Sequence, residues 1–112
     1  MVKKQVLKKV KKKIKEYVTL LRQDKLPIQK VILFGSYAKG TQNKWSDVDV
    51  CIVSPRFKNS WQAGEYLWEK RILDMRYAIE PHGFNPTDFN DKYSSLAQEI
   101  KKTGIEIKVW AQ

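Results

Sequence analysis

Two short apolar runs constrain the fold more than any other feature. Lys30-Val31-Ile32-Leu33-Phe34 is rich in strand formers and stopped by Gly35, which predicts a strand. Asp47 to Val53 reads D-V-D-V-C-I-V. It alternates at first and is fully apolar in its second half, which predicts a second, buried strand. Between the runs, Ser36 to Lys39 has the length of one helical turn broken by Gly40, and Gln42 to Ser46 reads as polar loop.

The flanking segments read as helices and further strands. Val2, Val6, Val10, Ile14, Tyr17 or Val18, and Leu21 recur at steps of three or four with lysines between them. That spacing predicts a long amphipathic helix, which Leu26-Pro27 ends. Ser54 to Ser60 holds Pro55 and reads as loop. Trp61, Gly64, Trp68 and Ile72 share one helical face, expected to be core or interface. Met75 to Glu80 predicts a third strand terminated by Pro81. Asn85-Pro86-Thr87-Asp88 predicts a turn or helix start. Ser94 or Ser95 can N-cap a last helix running to Lys102, with Gly104 as its C′ residue. Ile105 to Trp110 is expected as a terminal edge strand. Helices alternate with strands, without repeats or linkers, so the class is mixed α and β. The expected organisation is one domain over 1–112, with a basic helix at 1–26 and a core at 28–110.

Composition removes several classes of function. At 112 residues the chain fits one domain. Its single cysteine, Cys51, allows neither an internal disulfide framework nor a Cys-based zinc site; inside an apolar strand it is expected to be an inert core thiol. No apolar run approaches the roughly 20 residues of a membrane span, and no signal-peptide core follows the N-terminal lysines. The expectation is a cytoplasmic protein without membrane contact.

The formal net charge of +10 is unevenly spread. Residues 1–30 carry eleven Lys/Arg against two acids, whereas residues 31–112 carry eleven against ten. The excess therefore sits on the first helix. Such a face is expected to be a solvated surface, with nucleic-acid docking through residues 3–15 as an alternative.

The chemistry concentrates in residues 35–49. A glycine after a strand permits a sharp bend and close approach of a ligand to the backbone. N–H groups in the turn that follows can bind an oxyanion such as phosphate, and Ser36 adds a hydroxyl there. Asp47 and Asp49, at i and i+2 in a strand, share one face with Cα atoms roughly 6.5–7 Å apart. Two such acids repel unless a cation lies between them, and oxygen ligands suit Mg²⁺ or Mn²⁺. A phosphate cradle beside a carboxylate pair is what metal-assisted nucleotidyl transfer requires. A P-loop is disfavoured, because Thr41 stands where that loop needs Lys.

The arrangement Gly35-Ser36, ten residues Tyr37–Ser46, then Asp47-Val48-Asp49 resembles the G-S-x10-D-x-D signature of minimal nucleotidyltransferases of the polymerase-β-like superfamily. Ile79-Glu80-Pro81-His82 and Lys102-Thr103-Gly104-Ile105-Glu106-Ile107 are similar to later blocks of the same small proteins. The resemblance covers roughly residues 28–110. It implies an α+β fold with a small mixed sheet flanked by helices, ATP or another NTP as donor, and Mg²⁺ (or Mn²⁺). It implies that Gly35 and Ser36 hold the triphosphate and that Asp47 and Asp49 ligate metal. It makes Glu80 the candidate third carboxylate, binding the second metal and accepting the proton of the incoming hydroxyl. Two positions depart from the pattern. Lys39 stands where the family often has Arg, keeping charge for nucleotide binding but losing bidentate geometry. Glu80 stands where the third acid is often Asp.

The resemblance further implies transfer of AMP from ATP to a hydroxyl on a partner, such as the helical HEPN protein of a toxin–antitoxin pair, in a homo- or hetero-oligomer. The alternative is a binding module that neutralises its partner by contact alone. Other residues receive plainer expectations: His82 as a partly exposed loop histidine, with contact to substrate as the alternative, Trp61 and Trp68 as core or interface, and Tyr37 as either pocket lining or sheet packing.

Overall fold

The computed structural model of the chain describes residues 4–71 and 78–108. Their elements are α1 (Lys4–Gln23), β1 (Lys30–Phe34), α2 (Ser36–Lys39), β2 (Val48–Val53), α3 (Ser60–Lys70), β3 (Ile79–Phe84), α4 (Pro86–Phe89), α5 (Ser95–Thr103) and β4 (Ile105–Glu106). The strands form one mixed sheet in the order β3-β2-β1-β4. β1 runs antiparallel to β2 and β4, and β2 runs parallel to β3. The expected mixed sheet with flanking helices is therefore observed.

The sheet has two apolar faces because its strands alternate. Val31, Leu33, Val48, Val50, Ile52 and Ile79 point to one side, where they join Val10, Ile14, Tyr17, Val18 and Leu21 of α1 and Ala63 and Leu67 of α3. Ile32, Phe34, Cys51, Val53 and Phe84 point to the other, where Phe89, Ala97 and Ile100 of α4 and α5 cover them. The predicted stripe of α1 is thus its buried face, and Lys8, Lys9, Lys12 and Lys15 stand in solvent. Burial pushes the Cys51 thiol up to about 12, consistent with an inert core group.

Local chemistry closes the helices. Lys25 takes a left-handed φ of 65°. Its N–H reaches the Arg22 carbonyl, and the Leu26 N–H reaches the Leu21 carbonyl. This is a Schellman closure with a lysine where glycine is usual, one residue before the expected Leu26-Pro27 stop. The Asn59, Asn85 and Ser94 side chains accept from the N–H groups of Gln62, Asp88 and Ala97, which starts α3, α4 and α5. Gly104 follows α5 with φ −78°, so the chain leaves in extended rather than left-handed backbone. The Tyr17 hydroxyl donates to the Leu67 carbonyl at 2.7 Å. The Arg71 N–H bonds Trp68 instead, so Tyr17 serves a carbonyl orphaned at the end of α3.

Three expectations need correction. The third strand runs through Pro81 instead of stopping there. β3 is an edge strand, where a residue without an N–H is tolerated on the open side. His82 accordingly lies in a strand, not a loop. On α3, Trp61 and Trp68 are exposed, which removes the core alternative of their expectation and leaves the interface one, and Ala63 and Leu67 are the buried pair. Close packing decides this. A Cβ on Gly83 of β3 would lie 2.5 Å from the Ala63 Cβ and 2.9 Å from the Leu67 Cδ1, which leaves no room for an indole. Ile72, Met75 to Tyr77, Val2 and Val109-Trp110 lie outside the described residues.

Candidate active site

The site lies where β1 ends and β2 and β3 begin. Asp49 pairs with Phe34 across the antiparallel ladder and with Glu80 across the parallel one. Parallel partners share a face, so the register alone sets the two carboxylates side by side. Val48 and Val50 sink into the core around Asp49 and hold it on the other face. Asp47 immediately precedes the strand and is exposed. Of the expected set Asp47, Asp49 and Glu80, the register sets the last two side by side, and Asp47 lies near enough for its charge to act on Glu80.

These neighbours push the Glu80 carboxyl up from its ordinary value. Its own burial contributes most, followed by the Asp49 charge; His82 opposes, and Asp47 adds to the rise. A crowded set of acids that holds one proton back is what a divalent cation would relieve. Oxygens of Asp49 and Glu80 and a ring nitrogen of His82 all lie within 4.8 Å of one another. This donor set fits a divalent cation; Asp47, the other acid expected to ligate metal, is not one of the three.

His82 is the residue of this site that sequence reasoning missed. Its Nε2 lies 3.3 Å from Asp49 Oδ1 and 3.6 Å from Glu80 Oε2. Its ring packs edge-on against Phe34, with centroids 5.0 Å apart. The available signal was the period of two: Glu80 and His82 share a face once the strand passes through Pro81.

The bend after β1 adjoins the acids. Gly35 has φ 76° and ψ −153°, a region open almost only to glycine. A Cβ there would meet Asp49 Oδ2 at 2.2 Å. Gly35 is thus set directly against the Asp49 carboxylate, and Ser36 follows it in the chain. The N–H groups of Ala38 and Lys39 in α2 turn back onto the Gly35 carbonyl, each at 3.1 Å. Tyr37 is buried in the core, which decides between its two expected positions. Lys39 pairs with Glu99 of α5 at 2.7 Å, both side chains about half exposed, so its terminal ammonium already has an acidic partner.

Comparison with known proteins gives the family and a likeness of fold. Residues 4–111 match the family model described as "Nucleotidyltransferase domain". A Methanocaldococcus jannaschii protein named "Putative protein adenylyltransferase MJ0604" is 49% identical over 43 residues, 38% of this chain and 43% of that protein. The match thus spans less than half of that relative. A solved structure described as "Crystal structure of the toxin-antitoxin with AMP-PNP" superposes with a TM-score of 0.54 at 20% identity. It covers 84% of this chain and 72% of its own, a likeness of fold.

Proposed function

The chain belongs to the nucleotidyltransferase domain family, and on that premise we propose that it transfers AMP from ATP to a hydroxyl on a partner protein. The carrying observation is the β2–β3 register, which sets Asp49 beside Glu80 at the glycine bend. A relative named as a protein adenylyltransferase and a fold neighbour described with a toxin–antitoxin and AMP-PNP support the choice of donor and acceptor. The partner in this reading is a HEPN-like helical toxin, and the chain acts as its antitoxin.

The residues divide the work. Gly35 and Ser36 receive the triphosphate at the bend, where N–H groups and a hydroxyl face the phosphate oxygens. Lys39 exchanges its surface pair with Glu99 for phosphate, a small loss because such exposed pairs contribute little. Asp47, Asp49 and Glu80 hold Mg²⁺ or Mn²⁺. The bound ions supply charge neutralisation on the phosphates and a lower pKa for the acceptor hydroxyl. The acceptor oxygen forms a bond to the α-phosphorus as the bond to the pyrophosphate oxygen breaks. Glu80 takes the hydroxyl proton, and pyrophosphate leaves with the bonding electron pair.

The test is labelling of the cognate partner protein with ATP labelled at the α-phosphate, in Mg²⁺. Wild type transfers label, and the Asp47→Ala/Asp49→Ala variant does not. Equal labelling by the two proteins overturns the proposal.

A further inference from the structure

We infer that His82 is a nitrogen ligand that makes this site select a first-row transition ion over Mg²⁺; the inference rests on reading Asp49 and Glu80 as cation ligands. The argument begins with placement. Glu80 and His82 are two apart on β3 and face the same side. The Nε2 separations of 3.3 and 3.6 Å from the two carboxylates are near the roughly 3 Å expected between adjacent ligands with bonds of 2.0–2.2 Å. Little movement would bring all three donors onto one ion.

The ring is also held in place. Phe34 stacks against its edge at an interplanar angle of 65°, and about three-quarters of the His82 side chain is shielded, its exposure being 26%. A side chain ordered in advance loses less entropy on binding.

Donor chemistry then gives the selectivity. Carboxylate oxygens alone serve Mg²⁺ and Mn²⁺ alike, whereas imidazole adds affinity along the transition series and little for Mg²⁺. A site of two carboxylates and one imidazole therefore separates the two classes of ion more strongly than the two carboxylates would by themselves.

The experiment measures binding of Co²⁺ alone and of Mg²⁺ alone to the full chain by calorimetry, at one fixed pH, together with the visible absorption of bound Co²⁺. Wild type, His82→Leu, His82→Gln and Asp49→Asn are compared, each first checked for a cooperative melt. Wild type is expected to bind Co²⁺ at least about tenfold more tightly than Mg²⁺. Both His82 variants lose about tenfold or more in Co²⁺ affinity and change its absorption. Their Mg²⁺ affinity stays within about twofold. Asp49→Asn loses both ions. Unchanged Co²⁺ affinity and absorption in the His82 variants, or equal losses for both ions, overturns the inference while sparing the carboxylate reading. Undiminished binding of both ions by Asp49→Asn overturns the carboxylate reading itself, and the inference with it.

Discussion

A Cβ atom on Gly35 would stand 2.2 Å from Oδ2 of Asp49. The bend that ends β1 and the carboxylate that opens β2 are therefore one fitted unit: the absence of a side chain at the first sets the position of the second. Gly35→Ala should displace Asp49 and also strain a backbone at φ 76°. The expected cost is about 2 kcal/mol of stability. Partner labelling should fall about a hundredfold, the scale of an ångström-sized misplacement. Gly64→Ala is the control, since a Cβ there meets nothing within 4 Å. In a helix interior it should stabilise by about 1 kcal/mol, with labelling unchanged. Melting curves and the labelling assay check both.

Glu80 makes stability depend on pH in a defined direction. Its folded carboxyl titrates above the ordinary value of 4.5, chiefly through burial and then the Asp49 charge. A raised carboxyl contributes stability below its unfolded pKa, and that contribution is lost as pH rises through the folded value. Without metal, Glu80→Gln should therefore be more stable than wild type at neutral pH, with the difference shrinking as pH falls through the folded value and gone below the ordinary value of about 4.5. Adding Mn²⁺ should reverse the order at neutral pH, because wild type gains a bound ion. Thermal melts of both proteins across pH, with and without Mn²⁺, measure this.

Tyr17 fastens α1 to α3 through one hydrogen bond, from its buried hydroxyl to the Leu67 carbonyl. Burial, its largest influence, pushes that hydroxyl far up, so it remains a donor throughout the working pH range. Tyr17→Phe should leave the carbonyl unserved and cost about 2 kcal/mol, lowering the melting temperature by roughly 8 °C. Labelling below the transition should be retained, because Tyr17 lies on the opposite face of the sheet from Asp49.

The most legible part of the chain was residues 30–53. There, apolar strands, a glycine and acids at i and i+2 all point to one arrangement, and no tertiary contact overrides them. The legible part ended at Pro81. Proline breaks a ladder only where its N–H is needed, and the sequence does not state that β3 is an edge. Ending the strand at Pro81 turned His82 into a loop residue and hid its place beside Asp49. Trp61 and Trp68 misled for a different reason. Size and hydrophobicity favour burial, but α3 packs so closely on Gly83 through Ala63 and Leu67 that no indole fits between them. The pairing of Lys39 with Glu99 was equally hidden, since it joins residues 60 positions apart through an exposed contact.

The alternation along β2 ties assembly to chemistry. Val48, Val50 and Ile52 enter one apolar layer, while Cys51 and Val53 enter the other and Asp49 sits at the latter's rim. Sliding this strand by a single position would drive a charged oxygen among aliphatic carbons and turn valines toward Glu80 and His82. The same carboxylates that would do the chemistry thus act as alignment marks during folding, so a misaligned chain forfeits its stability together with its catalytic centre.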